Sequence, residues 1–270
     1  MTTVTAATGA GPLLRDWRRR RRLSQQELAL EAGVSARHLS FVETGRSRPS
    51  AEMVLHLAEH LDVPLRDRNA LLLAAGHAPA YKELDLEAPE LAGVRATIDE
   101  LLRAHEPAPA IVVDRHWEMV AANRMVGLFL GWMDPELLAP PINVLRLTLH
   151  PSGMATHIEN LDELRPHLLE RLRHQAVFTG DPALEALHAE LAAYPAPPDA
   201  VRDEDTPADI AISLAVRTPE GRRLRFITTL ATFGIAAEVT ASELALETFF
   251  PADRATRAFL EDYAAALPAG

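Results

Sequence analysis

Three serines constrain the first eighty residues most, because each begins a segment whose apolar residues recur at helical spacing. Ser24 stands three residues before Glu27, the spacing of a capping box, and Ser35 and Ser50 precede the next two segments in the same way. Gly33 suits the positive φ of a tight turn between the first two segments. With one further helix on each side, the pattern predicts five short helices that include a helix-turn-helix.

The charge is divided unevenly along the chain, whose net charge is −11. Residues 1–50 hold nine arginines and four acids, a balance of 9 − 4 = +5, whereas residues 81–270 hold 16 basic and 30 acidic residues, a balance of 16 − 30 = −14. Because the first part is basic and the rest of the chain is acidic, we expect only the first part to bind a polyanion. The chain contains no cysteine, which excludes disulfides, thiolate metal sites and a cysteine nucleophile.

The residue identities of the first part resemble a known DNA-binding domain. Residues 12–75 are similar to the Cro/phage-repressor (XRE-like) domain in LRDWR at 14–18, LSQQELA at 23–29, GVS at 33–35, LSFVETGR at 39–46 and RPS at 48–50. The family often has glycine at the end of the first helix, where this chain has Arg22. A left-handed arginine costs about 1 kcal/mol, so we expect this turn to have a different shape.

The resemblance also implies which residues contact DNA. It places the third helix, residues 35–43, in the major groove, where the planar guanidinium of Arg37 can bond O6 and N7 of guanine together. Phe41 either contacts a thymine methyl or packs on the domain. Arg18 is expected to pair with Glu43 and to tie the first helix to the third. The candidate DNA contacts are Gln25, Ser35, Ala36, Arg37, Ser40, Phe41, Arg46 and Arg48, of which Gln25, Arg46 and Arg48 would bind phosphates.

The remaining residues predict a second, mixed domain. Residues 81–90 are short, charged and bounded by proline, which is typical of a linker. Beyond the linker, the patterns predict helices over residues 91–105, 123–132, 158–194 (divided at 179–182), 242–250 and 252–266. They predict strands over residues 110–114, 116–121, 210–217, 224–230 and 235–240. Residues 195–207 are predicted to form a loop, and residues 142–149 either a helix or a strand. This is an α+β pattern.

The second part also carries a resemblance. The run VDRHWEMVAAN at 113–123 is similar to the opening of a PAS-type sensor domain. Together with NVLRL at 143–147, HP at 150–151, TGDP at 179–182, ETFFPAD at 247–253 and LLAAGHA at 72–78, it resembles the ligand-binding half of MmyB-like transcription regulators. The chain is therefore expected to have two domains, an all-α five-helix helix-turn-helix head over residues 12–80 and an α+β PAS-like body over residues 91–266.

The resemblance implies an apolar ligand pocket between the sheet and its covering helices, with fatty-acid-like molecules as one ligand class and no other cofactor. The candidate lining residues are Trp117, Met119, Phe129, Trp132, Leu145, Leu147 and Phe226, each of which is equally a core residue. If the ligand is a carboxylate, Arg146 or His150 would meet its head group.

Other chemistry is not predicted. The chain has no HExxH, GxSxG, Walker or Rossmann pattern, so neither a metal site nor a catalytic site is expected. We expect no signal peptide, because residues 1–10 lack a basic start and an apolar core, and no charge-free apolar run approaches the ~20 residues of a membrane helix. We therefore expect a cytoplasmic protein that does not insert into membranes.

The combined expectation is a ligand-responsive transcription regulator. Its partners would be double-stranded DNA, a small apolar ligand and a second copy of the chain, because one helix-turn-helix recognises only a half-site. Two alternatives remain. The body could serve only for dimerisation or protein contact, or it could be an enzyme fused to a DNA-binding head.

Overall fold

The computed structural model describes residues 9–195, 213–233 and 237–268. The chain divides into two compact units. The first, which we call the head, comprises Met1–Asp85, Val177–Gly180 and Ile235–Ser242, and the second, the body, comprises the rest. Across the described ranges, no helix is both long enough and apolar enough to cross a bilayer.

The head contains the five predicted helices. They are α1 (Ala10–Arg20), α2 (Gln25–Glu31), α3 (Ala36–Glu43), α4 (Ala51–His60) and α5 (Leu65–Ala74). Each predicted serine caps its helix. The Ser24 hydroxyl accepts a hydrogen bond from the Glu27 backbone N–H at 3.2 Å, and the Glu27 carboxylate accepts the Ser24 N–H in return. The Ser35 and Ser50 hydroxyls accept the N–H groups of His38 and Met53 and cap α3 and α4, without the reciprocal bond. The five predicted helices and the all-α class of this N-terminal region are confirmed.

The turn after α1 differs from our expectation. Arg22 adopts a left-handed backbone with a φ of +58°, so the prediction of a differently shaped turn is wrong. Two backbone hydrogen bonds stabilise the turn. The Arg22 N–H donates to the Arg19 carbonyl at 2.9 Å, and the Leu23 N–H donates to the Arg18 carbonyl at 3.1 Å. The head therefore tolerates the strain of a non-glycine residue at this position.

Replacing Arg22 by glycine should relieve that strain. We expect the free energy of unfolding of the head to rise by about 1 kcal/mol, because glycine adopts the left-handed conformation without a steric penalty. Urea unfolding of the full chain measures this change. As a control, Arg19→Gly lies within α1 and should instead lower the free energy of unfolding by about 1 kcal/mol. Equal or lower stability of R22G would contradict the strain.

Part of the expected linker is ordered within the head. The buried side chain of Asn69 donates to the Tyr81 carbonyl at 2.7 Å and accepts the Ala80 N–H at 3.0 Å. The Val239 N–H donates to the Lys82 carbonyl at 2.9 Å. The compact head therefore extends to Asp85, while the proposed boundaries at residues 80, 81 and 90 stay predictions.

The body is built on one antiparallel sheet of five strands. They are β1 (Ala110–Val113), β2 (Met119–Ala122), β3 (Ser213–Arg217), β4 (Arg223–Thr232) and β5 (Ala245–Pro251), in the spatial order β2-β1-β5-β4-β3. With its helices, this sheet confirms the α+β class. The predicted strand residues 210–212 and most of the predicted loop lie outside the described residues.

The central strand of the sheet is the largest departure from expectation. Residues 242–250 were expected to be helical, but β5 lies between β1 and β4, with Leu246 opposite Val112 and Thr248 opposite Thr229. The predicted strand over 235–240 is also wrong where it is described, because α11 is helical (Val239–Ser242). Hydrogen bonding to strands on both sides overrides the helix propensity of an alanine-, leucine- and glutamate-rich segment.

Helices cover both faces of the sheet. On one face, α6 (Ala92–His105) packs Ile98 and Leu102 against Ala110 and Val112 of β1. The other face carries the main core, together with α7 (Gly127–Leu130), α8 (Val144–Leu149), α9 (Leu161–Thr179), α10 (Pro182–Ala192) and α12 (Arg254–Ala266). The ambiguous segment 142–149 is thus helical. The predicted helix over 123–132 is reduced to a 3-10 turn followed by α7.

Candidate nucleic-acid interface and candidate ligand cavity

One side of α3 packs into the head and the other is available to a partner. Leu39 and Val42 are 1% and 0% exposed, whereas Arg37 is exposed. Ala36, Ser40 and Phe41 are partly buried on the outward side. Helical spacing therefore brings the four candidate base-contacting residues of α3 to one surface.

Two guanidinium groups lie over the ring of Phe41. The Arg37 Cζ is 5.4 Å from the ring centroid, and the Arg46 Cζ is 6.0 Å from it. This arrangement orients both cations through cation–π attraction. Arg48, in the loop that follows, is exposed. The structure thus gathers Arg37, Phe41 and Arg46 in one cationic patch.

Two other candidate DNA contacts are already engaged within the head. The Gln25 side-chain amide donates to Glu43 Oε2 at 2.8 Å, and the Ser35 hydroxyl accepts the His38 N–H at 3.1 Å. Gln25 has one amide hydrogen left for a phosphate. Both residues stay predictions as DNA contacts.

The candidate ion pair between α1 and α3 is buried. Arg18 Nε donates to Glu43 Oε1 at 2.6 Å, Arg18 Nη2 donates to Oε2 at 2.8 Å, and Nη1 donates to the Leu23 carbonyl at 2.7 Å. The two residues are 7% and 4% exposed. Burial acts to raise the pKa of the Glu43 carboxyl, but hydrogen bonds from Arg18 and Gln25 outweigh it and hold the pKa below the ordinary 4.5. The pair therefore stabilises the head at neutral pH, and this contribution is lost as the pH falls through the folded pKa.

The body has an apolar cavity, open to solvent at its mouth, between the sheet and the covering helices. The volume that the centre of a water molecule can occupy in this cavity is about 80 Å³. The whole empty space between the lining residues is about 550 Å³, and this larger volume includes open solvent at the mouth. Thr148 is the one polar residue among fourteen, which are Pro109, Ile111, Met119, Val126, Phe129, Leu130, Met133, Val144, Leu147, Thr148, Met154, Ile158, Leu214 and Phe249. Such a lining fits an apolar molecule.

Three candidate pocket residues, Met119, Phe129 and Leu147, line this cavity. Phe226 and Trp132 lie behind the lining, with ring centroids 5.8 and 5.4 Å from that of Phe129. Trp117 and Leu145 are buried in the same core without reaching the cavity wall. These four stay predictions as ligand contacts.

The candidate head-group residues have partners of their own. Arg146 donates two hydrogen bonds of 2.7 Å to the Glu190 carboxylate, which also accepts the Tyr194 hydroxyl at 2.6 Å. The pKa of Glu190 is lowered to about 2, and the hydrogen bonds from Arg146 are the largest cause. The pKa of Tyr194 is raised to about 12, and burial is the largest cause. His150 Nδ1 accepts the Ser152 N–H at 3.0 Å. Arg146 thus already binds a carboxylate within the protein, and its role as a ligand contact stays a prediction.

A second arginine, which the sequence analysis did not consider, lies near the sheet. The Arg171 Cζ on α9 is 4.4 Å from the ring centroid of Trp117, whose Nε1 donates to Gln175 at 2.8 Å. Arg171 Nη2 is a buried atom without a hydrogen-bond partner. Burial raises the pKa of Glu247 on β5, and the charge of Arg171 opposes this shift. The sequence offered one signal for this contact. Arg171 and Gln175 stand four residues apart on a predicted helix, which places them on one face, and Trp117 was an expected core residue.

His56 and His60 stand four residues apart on α4, a metal-ligand spacing that the sequence analysis passed over. Their rings make other contacts. His56 Nε2 is 2.6 Å from the Ala32 carbonyl, and His60 Nδ1 is 2.9 Å from the His56 carbonyl. In the described part of the chain, no three histidine, cysteine, aspartate or glutamate side chains are grouped to hold a metal ion.

Comparison with known proteins places these features in families. Residues 14–67 match the helix-turn-helix family, and residues 94–262 match the MmyB-like transcription regulator ligand binding domain. An uncharacterized HTH-type transcriptional regulator of Bacillus subtilis (strain 168), RghRB, is 38% identical over 81 residues. The match spans 30% of this chain and 56% of that protein.

Two solved structures match this chain with low scores. An RsLOV variant superposes with a TM-score of 0.29 at 10% identity, over 64% of this chain and 79% of that one. An RNA-binding light-oxygen-voltage receptor superposes with a TM-score of 0.28 at 15% identity, over 96% of this chain and 63% of that one. Because residues 94–262 are more than half of the sequence, the chain belongs to the family of MmyB-like transcription regulators, with a helix-turn-helix domain before the ligand-binding domain.

Proposed function

We propose that this protein regulates transcription by binding operator DNA through the head while the body binds a small apolar molecule. The observation that carries the proposal is the apolar cavity, which lies in the part of the chain that matches a ligand-binding domain. A domain that served only for dimerisation or protein contact would not require a cavity with one polar residue in its lining.

The DNA half of the proposal rests on the outward face of α3. Arg37 is exposed there and carries a planar guanidinium suited to guanine. Arg46 shares the ring of Phe41 with Arg37, and Arg46 and the exposed Arg48, in the loop after α3, would bind phosphates that fix the position of the helix in the groove. The excess of positive charge in residues 1–50 favours this face over the acidic body.

The DNA-binding species is a homodimer in this proposal. One helix-turn-helix contacts one half-site, and two half-sites one helical turn apart, about 34–36 Å, require two heads. A ligand that prefers one conformation of the body would change operator affinity, and such coupling is typically about 1–3 kcal/mol.

Substitution of two arginines distinguishes base contacts from phosphate contacts. We expect Arg37→Ala to cost about 1–3 kcal/mol of operator affinity and to relax preference at one base position, because it removes a bidentate contact. Arg48→Ala should weaken binding to all sequences alike and reduce the salt slope by about one. Equilibrium binding to the operator and its single-base variants, over a range of salt, measures both. The reverse pattern would show that the faces of α3 are assigned wrongly.

The ligand half is tested by asking what the cavity holds. Mass spectrometry of molecules released from the purified, denatured chain should detect an apolar compound, with fatty-acid-like molecules as the expected class. Adding that compound back should shift operator affinity. A chain that carries no such compound, and whose operator affinity does not change with any extracted apolar metabolite, would instead support a body that serves for dimerisation or protein contact.

A further inference from the structure

Phe41 is an aromatic residue of α3 that the core of the head leaves out. Among the described residues, the apolar cluster of the head contains Leu39 and Val42 of α3 but not Phe41. Its ring lies instead beside two guanidinium groups, with the Cζ atoms of Arg37 and Arg46 at 5.4 and 6.0 Å from the ring centroid. The ring is half-buried, so part of its apolar surface stays in water. A partner that covers this surface would gain hydrophobic binding energy.

The spacing of Arg37 and Phe41 allows them to contact neighbouring base pairs. The two residues are four positions apart on α3, which places them on one face with a rise of about 6 Å between them. Base pairs in B-DNA are about 3.4 Å apart. If Arg37 bonds O6 and N7 of a guanine, Phe41 therefore reaches one or two base pairs further along the groove. Because the ring also lies beside the Arg37 guanidinium, the adjacent base pair is the one that it contacts.

The outward face of α3 suits a methyl group. In the major groove, guanine presents two acceptors, cytosine an amino donor, and thymine a C5-methyl group. Glu43 is the one carboxylate of α3, and it is buried and bound to Arg18, so no carboxylate of this helix is available to a cytosine amino group. A phenylalanine ring makes apolar contact with the thymine methyl. The face thus combines a guanine contact with a methyl contact.

We propose that Arg37 and Phe41 recognise one dinucleotide, in which Arg37 bonds a guanine and Phe41 packs on the C5-methyl group of the pyrimidine in the adjacent base pair. This inference rests on the proposed function, because it requires that α3 binds in the major groove. Thymine and 5-methylcytosine carry the same methyl group at the same position, whereas cytosine carries none. Methylation of a cytosine beside the guanine therefore strengthens DNA binding by the head, and operator occupancy responds to cytosine methylation.

The ring is held in place before DNA binds. The Arg46 N–H donates to the Phe41 carbonyl at 2.8 Å, and the Ser47 N–H donates to the same oxygen at 3.0 Å. These bonds fix the backbone of Phe41, while cation–π attraction keeps the Arg37 guanidinium beside the ring. Less conformational freedom is then lost on binding. Removing the ring should therefore weaken the guanine contact of Arg37 as well as the methyl contact.

The test uses the full chain and the duplex that it enriches from a pool of random sequences. The guanine is the base whose preference R37A loses, and we expect thymine beside it. Two comparisons at that neighbouring position change only the methyl group, thymine against deoxyuridine and 5-methylcytosine against cytosine. Wild type should bind the methylated member of each pair about fourfold more tightly, the effect of burying one methyl group. F41A should bind both members equally. The control L30A removes an exposed apolar side chain from α2 and should match wild type.

The outcomes separate this proposal from the proposed function. Equal binding of methylated and unmethylated duplexes by wild type, or an enriched duplex without thymine beside the guanine, overturns the methyl contact while sequence-specific binding stands. Methyl discrimination that F41A retains assigns the contact to another residue and also overturns the proposal. Should F41A not fold, the wild-type comparison decides the question. Failure of wild type to enrich any sequence would overturn both.

Discussion

Replacing Glu43 by alanine will lower the free energy of unfolding of the head by about 3–5 kcal/mol, because it leaves the buried guanidinium of Arg18 without its charged partner. DNA affinity should fall together with stability, by about tenfold or more, since the pair fixes α3 against α1. Thermal unfolding and operator titration below the melting temperature measure the two effects. Unchanged melting of E43A would show that the pair does not tie the helices.

A double substitution separates the charge from the packing. Arg18→Met combined with Glu43→Leu removes both ions and keeps apolar volume at both positions. Replacement of a buried ion pair by apolar residues is often neutral or stabilising, so this variant should recover most of the stability that E43A loses. Equal destabilisation of the single and double variants would mean that packing, and not the unpaired charge, causes the loss.

Filling the cavity should abolish ligand binding while preserving the fold. Leu147 is 4% exposed and lines the cavity from α8, so Leu147→Trp would place a larger side chain in the empty space. We expect the affinity for dodecanol to fall at least about a hundredfold, because the ligand loses its apolar burial at about 25 cal/mol per Å². The free energy of unfolding should change by about 1–2 kcal/mol. Calorimetry and urea unfolding measure the two quantities.

A residue on the same helix provides the control. Leu145 is equally buried, at 5% exposure, but does not line the cavity. Leu145→Met conserves volume and should leave dodecanol affinity within about twofold of wild type. Strong dodecanol binding by L147W would show that the ligand binds elsewhere on the chain.

Local signals in the sequence predicted the head well. The hydroxyls of Ser24, Ser35 and Ser50 each accept the backbone N–H three residues further on, so spacing alone predicts where α2, α3 and α4 begin. The turn at Arg22 was mispredicted because strain at one residue is outweighed by hydrogen bonds on either side of it.

The body was harder to predict because its central strand depends on distant partners. β5 pairs with β1, more than a hundred residues earlier, and nothing within residues 245–251 reveals that pairing. The cavity was hard to predict for the same reason, because β5 contributes to its lining. Phe249, like Met119 and Leu147, belongs to a run that carries the family resemblance, but it was missed because its segment was expected to be helical. Arg171 of α9 comes near Glu247 of β5 only through the packing of α9 on the sheet, which no local pattern predicts.

The most direct test of the account is to sequence the genomic fragments that the full chain retains and to footprint the bound sites. The account predicts an enriched sequence with two symmetric half-sites about 34–36 Å apart, protected in the major groove by wild type, with relaxed preference at one position for R37A. Retention of fragments without any shared sequence, or a footprint that R37A leaves unchanged, would contradict the claim that α3 of the head recognises DNA.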